Sequence, residues 1–240
     1  GSNASSSTWK LWLTMGLPYG MLFQAGSPVL IGKRIDQIDA SVAPPSANGP
    51  FPDAPPTAYF GGAVEWMRLQ GLTTGYSGSI CFRPDATVTR AELATFVHRL
   101  AGSPAPGPRA PFPAVQTGAY FPAAVDWMYN QGLTRGVGTT GLYRPGDLVT
   151  RDQMAAVLHR LAGAPIGLPR HGFVDVAPTH FADTSVSWLS HHAITTGVAG
   201  TSTFQPGGAV TRGQLATFLH RLVQTPMAMS TAEVTLAVLP

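Results

Sequence analysis

The chain predicts a mainly α fold of three helical repeats, with Pro/Gly-rich loops between the helices. Three observations carry that expectation. First, the segment from Val88 to Leu100, Val-Thr-Arg-Ala-Glu-Leu-Ala-Thr-Phe-Val-His-Arg-Leu, returns with small changes at Val149 and again at Val210, 61 residues apart each time. A fixed period of this kind marks a supersecondary unit that buries its apolar face against its neighbours. Second, each copy opens with a capping pattern: Thr89, Thr150 and Thr211 stand three residues before Glu92, Gln153 and Gln214. In such a box the hydroxyl accepts the third helical N–H while the longer side chain reaches back to the cap amide. Third, an apolar stripe at i, i+3, i+4 and i+7 follows each cap, at Leu93, Phe96, Val97 and Leu100, at Met154, Val157, Leu158 and Leu161, and at Leu215, Phe218, Leu219 and Leu222.

Taken in order, residues 1–50 form an apolar segment and linker outside the repeats. Residues 8–31 are rich in Trp, Leu and Met, but Gly16, Pro18, Gly20, Gly26 and Pro28 interrupt the run, so packing on the repeats, or the end of an upstream domain, is expected rather than a membrane span. The stretch 43–50 reads as a linker. The opening Gly1-Ser2-Asn3-Ala4 has the look of a tag-removal scar, so the lack of a leader ahead of it carries no information. The units then occupy 51–102, 103–163 and 164–222, followed by a tail over 223–240 in which Val234 to Leu239 suggest a short strand. Within each unit Phe51, Phe112 or Phe173 opens a loop, Trp66, Trp127 or Trp188 marks a first helix, and Pro84, Pro145 or Pro206 precedes the capped second helix. Gly71 and Gly132 end the first helices in a position suited to a left-handed cap, where the third unit has Ala193.

Composition narrows the function. The net charge of +3 is small and scattered, with no basic run interleaved with aromatics, which argues against nucleic acid. Cys81 is the only cysteine and reads as a packed residue, with no partner for a disulfide, redox pair or thiolate metal site. His98, His159 and His220 recur at one position and could in principle gather round a metal. The adjacent Arg99, Arg160 and Arg221 oppose a cation, so no metal or other cofactor is expected. No paired carboxylates, nucleophile elbow or metal motif points to an enzyme.

The unit Phe-Pro-Asp…Ala-Val-Glu-Trp-Met…Gly-Leu-Thr-Thr-Gly…Phe-Arg-Pro…Val-Thr-Arg-Ala-Glu-Leu-Ala-Thr-Phe closely resembles the S-layer homology domain, in the style of high-GC Gram-positive bacteria. The resemblance implies three units about a pseudo-threefold axis, with inter-unit grooves that hold an anionic secondary cell-wall polysaccharide, often pyruvylated. It also implies a secreted protein anchored non-covalently at the cell surface. The alternatives are a protein-interaction scaffold of the same fold and the anchor part of a larger secreted glycan-acting enzyme.

Candidate ligand-binding residues follow from both lines. Arg90, Arg151 and Arg212 come directly after the caps, where a guanidinium beside unpaired helix N–H groups would make an anion seat. Trp66, Trp127 and Trp188 are expected either to stack on sugar faces or to close the core between the two helices of a unit. Asp53 and Asp175 stand in the opening Phe-x-Asp, where they either face a sugar or cap a turn; the second unit has Ala114 there. The intact motif suggests that the groove with Arg90 and Asp53 is the strongest and the one using the Ala114 loop the weakest.

Overall fold

A computed structural model describes residues 51–225 apart from 77, 114, 116 and 117. The expectations for residues 1–50, for Ala114 and for the tail beyond 225 lie outside the described residues. Among the described residues there are six helices, α1 (Gly61–Leu69), α2 (Arg90–Leu100), α3 (Pro122–Asn130), α4 (Arg151–Leu161), α5 (Asp183–His191) and α6 (Arg212–Gln224), and no strand beyond isolated bridges. None of these helices is long and apolar enough to cross a membrane.

The stripes read from the sequence form the core: Leu93, Met154 and Leu215 are all buried, with Val97, Leu158 and Leu219 fully so. The helices pair across unit boundaries. α2 packs on α3, α4 on α5, and α6 returns to α1, so the three units close into a ring. This corrects one of the two roles expected for the tryptophans. Trp66 meets His220 of α6, Trp127 meets His98 of α2 and Trp188 meets His159 of α4, at ring-centroid separations of 5.1, 5.4 and 5.6 Å. Each indole thus seals a seam between two units rather than the two helices of one.

At the axis the ring is closed by backbone. Val88 N–H donates to Val210 C=O, Val210 N–H to Val149 C=O and Val149 N–H to Val88 C=O, at 2.8, 2.9 and 2.9 Å. Every unit therefore satisfies its neighbour's peptide groups, which buried backbone requires.

The helix starts differ in detail. Thr89 with Glu92 and Thr211 with Gln214 form complete capping boxes. The expected box at Thr150 and Gln153 is absent: Asp152 takes both the Thr150 hydroxyl and, at 2.7 Å, the Gln153 amide. A carboxylate at this position outcompetes a neutral hydroxyl for the orphan amide, and Gln153 is released toward the neighbouring groove.

Candidate functional site: three inter-unit grooves

Each motif arginine crosses to the next unit. Arg90 Nε donates to Tyr143 C=O at 2.7 Å, Arg151 Nε to Phe204 C=O at 2.6 Å and Arg212 Nε to Phe82 C=O at 2.8 Å. All three guanidinium carbons stand 4.7 Å from the centroid of the same aromatic whose carbonyl they engage. Below lie the opening phenylalanines, in the pairs Phe112–Tyr143, Phe173–Phe204 and Phe51–Phe82. Burial on this floor pushes the Tyr143 phenol up to about 12.

The helix amides cannot serve as the expected anion seat. Arg90 N–H donates to Asp147 C=O and Ala91 N–H to Pro145 C=O, Arg151 and Asp152 amides go to Gly208 and Pro206, and those of Arg212 and Gly213 to Ala86 and Pro84. The third amide of each helix is taken by the cap or by Asp152. What remains for a ligand is guanidinium. Arg151 and Arg212 are only 6 % and 4 % exposed, and the Nη2 of each is buried without a hydrogen-bond partner among the described residues. Burial draws Arg90, Arg151 and Arg212 below the usual arginine value, the mark of positive charge taken out of water. Arginine nevertheless stays protonated.

The Asp residues do not face the grooves. Asp53 accepts the Phe82 and Arg83 amides at 2.8 and 2.7 Å, and Asp175 accepts those of Phe204 and Gln205 at 2.7 Å each. Arg83 and Gln205 adopt left-handed φ of 58° and 56°, so the carboxylate braces a strained turn. The pairing of sites also differs from expectation. Because each arginine reaches forward by one unit, Asp53 lies in the loop that receives Arg212, Asp175 in the loop that receives Arg151, and Arg90 enters the unit that carries Ala114. Arg90 and Asp53, read from sequence as one site, belong to two different grooves.

The tryptophans are placed as seam residues: Trp66, Trp127 and Trp188 are at most 2 % exposed and offer no face to a sugar. Another aromatic set, missed in the sequence, stands at the groove mouths. Tyr59, Tyr120 and Phe181 are 68, 67 and 66 % exposed and occupy equivalent positions 61 residues apart. Phe181 lines a cavity of about 390 Å3 with Arg90, Arg135, Gly136, Tyr143, Gln153 and Arg160. The Tyr120 hydroxyl is paired with the Thr89 side chain and feels the charges of Glu92 and Arg212, and Tyr59 acts on Arg151. Every groove thus combines an arginine from one unit, a loop from the next and an aromatic from the third. The available signal was an aromatic recurring at the period just ahead of each first helix.

The three grooves are not alike. Glu92 uses Oε2 in its capping box and places Oε1 3.8 Å from Arg212 Nη1. Gln153 occupies the corresponding position beside Arg90, with Oε1 3.5 Å from Nη1, and Gln214 the one in the Arg151 groove. His98, His159 and His220 sit at three separate seams and do not converge. Among the described residues no three His, Cys, Asp or Glu side chains are grouped to hold a metal.

The described residues thus form a ring of three helical units, each clasped to the next by an arginine. The S-layer homology domain family matches residues 50–94, 114–155 and 172–216, and the chain belongs to that family. Among curated proteins it is similar to an amylopullulanase of Thermoanaerobacterium thermosulfurigenes, 28 % identical over 60 % of this chain and 8 % of that protein. It is also similar to a cell surface protein of Thermoanaerobacter kivui, 27 % identical over 76 % of this chain and 22 % of that protein. A third relative is the exoglucanase XynX of Acetivibrio thermocellus, 26 % identical over 60 % of this chain and 13 % of that protein. The chain therefore spans less than a quarter of the length of each. The family is that of a cell-surface anchoring module, and one of these relatives is itself named a cell surface protein.

Proposed function

We propose that this module holds a secreted protein on the bacterial wall by binding an anionic secondary cell-wall polysaccharide in the grooves between its units. The observation that carries the reading is the pair of Nη2 groups on Arg151 and Arg212, buried between units without a hydrogen-bond partner among the described residues, with the exposed Tyr59 acting on Arg151 and Arg212 acting on the exposed Tyr120. A buried charged donor left unpaired costs more than it returns unless something fills it. A carboxylate such as that of a pyruvate ketal meets the free edge of a guanidinium in the geometry this ion prefers. Tyr59, Tyr120 and Phe181 supply flat apolar faces for the sugar rings beside it, with two phenol hydroxyls for hydrogen bonds. The relatives named for glycan-degrading enzymes support the view that such a module serves as the anchor part of a larger secreted protein.

Co-sedimentation with purified Gram-positive walls tests this. The chain should pellet with native walls and stay in solution with walls whose secondary polysaccharide has been extracted. Equal pelleting with both would remove the polysaccharide as the ligand, and capture of a wall protein alone would favour the scaffold reading.

A further inference from the structure

The groove entered by Arg90 differs from the other two in its charged residues, chiefly through Arg135. Its walls hold three arginines, Arg90, Arg135 and Arg160, and no carboxylate is among the residues lining the cavity. Asp147, which acts on Arg90, is not among the lining residues and is paired with Arg144 at 3.6 Å. Arg160 spends one N–H on Leu133 C=O at 3.2 Å, and Arg135 rests over the Tyr129 ring at 5.6 Å. Neither is neutralised, and the repulsion between them adds to burial in drawing Arg160 below its usual value. The place of Arg135 is taken by Thr74 and Thr196 in the other units. A carboxylate acts on each arginine from outside the groove, Asp147 on Arg90, Asp175 on Arg151 and Asp53 on Arg212, and Arg212 has Glu92 against it as well.

Resting on the wall-polysaccharide reading above, we propose that the Arg90 groove takes a compact doubly charged group, a phosphomonoester on the polymer, whereas the other two grooves take single carboxylates, and that Arg135 sets this difference. Three guanidinium groups around a cavity of about 390 Å3 can face more than one oxygen of a tetrahedral dianion. The Thr134-Arg135-Gly136 turn holds Arg135 at the rim, and Gly136, at φ 93°, cannot carry a side chain because a Cβ would come within 2.7 Å of Leu142 C=O. The turn therefore requires glycine after Arg135, and Arg135 lines the groove wall.

The test is titration of the full chain with a sugar phosphomonoester and with the methyl phosphodiester of the same sugar, at a pH well above the second phosphate ionisation of about 6. Amide shifts of Gly136 and Gly138, which line this groove, report where binding occurs. The monoester should bind about tenfold more tightly than the diester, the effect of one more charge a few ångströms from unneutralised guanidinium. Arg135→Thr, which installs the residue the other two units already accommodate, should bring the monoester down to the level of the diester. Equal affinities in the wild type, an unchanged preference in Arg135→Thr, or no shift of Gly136 and Gly138 would each overturn the proposal. Wall co-sedimentation of Arg135→Thr separates this from the anchoring reading: retained pelleting with lost monoester preference is the expected pair of results. A wild-type chain that ignores walls would count against the anchor itself.

Discussion

Replacing Arg151 with methionine tests whether the groove arginine is there for the fold or for a ligand. The substitution removes the Nε–H bond to Phe204 C=O at 2.6 Å, a charge-assisted contact of about 1.5 to 3 kcal/mol. It also removes the approach to the rings of Phe204 and Phe218 at 4.7 and 5.6 Å, about 1 to 2 kcal/mol when desolvated. Against this, the variant no longer buries an unpartnered Nη2, a penalty of about 1 to 3 kcal/mol. It also avoids desolvating a charge, which costs several kcal/mol per ion. The terms oppose and nearly cancel, so Arg151→Met should lie within about 2 kcal/mol of the wild type in urea unfolding followed by tryptophan fluorescence. Methionine keeps the unbranched apolar stem; Arg151→Ala leaves a void and should be less stable than Arg151→Met by about 2 kcal/mol. Affinity of this groove for a carboxylated wall fragment should fall about ten- to a hundredfold in both. If Arg151→Met were destabilised as strongly as Arg151→Ala while binding stayed intact, the arginine would be a structural clasp and the ligand argument would fail.

Other expectations follow from the ring closure and the cap chemistry. Trp127→Ala opens the α2–α3 seam at a residue 2 % exposed and should cost about 3 to 5 kcal/mol, with calorimetry still showing a single transition because no unit has a core of its own. Ala193 sits at a left-handed φ of 54° where the other units have glycine, so Ala193→Gly should stabilise by about 1 kcal/mol in urea. Glu92→Gln keeps a capping box, as Gln214 does at α6, but removes the carboxylate beside Arg212. Stability should change by less than about 1 kcal/mol while anion affinity of that groove rises, read by titration calorimetry. Burial, and then the adjacent Arg99 and Arg160, hold His98 and His159 below the usual 6.5. The unfolded chain then binds more protons, and the stability present above 6.5 is lost as pH falls toward the lowered folded values. Unfolding titrations across that range should show the loss, and His159→Gln should flatten it.

Much of this fold is written in local sequence. The Thr-Arg steps set the starts of α2, α4 and α6, and the stripes behind them are buried, because capping and helical periodicity depend on residues within one or two turns. Repetition announced that the units would share a core. It did not reveal the direction of the sharing. A period reports which residues recur and not which copy each one touches, so Arg90 and Asp53 looked like neighbours although a ring with this hand sends Arg90 forward and brings Arg212 to Asp53's loop. The same blindness made the helix-start amides look open, when the next unit's carbonyls fill them. At α4 a single change, Asp152, redirects the cap and frees Gln153, a competition between two acceptors that the Thr-x-x-Gln pattern does not express. The tryptophans drew attention as sugar platforms because aromatic character is visible in a sequence and burial is not; Tyr59, Tyr120 and Phe181 carry the exposure instead.

The most direct test of the central claim, that a wall polymer's negative charge is met by arginines buried between units, is titration calorimetry of purified secondary wall polysaccharide into the full chain and into the Arg90, Arg151 and Arg212 triple methionine variant. The variant should remain folded, with the α2–α3, α4–α5 and α6–α1 seams intact, and should give no heat of binding at concentrations that saturate the wild type. A folded triple variant that binds the polymer as well as the wild type would contradict the account.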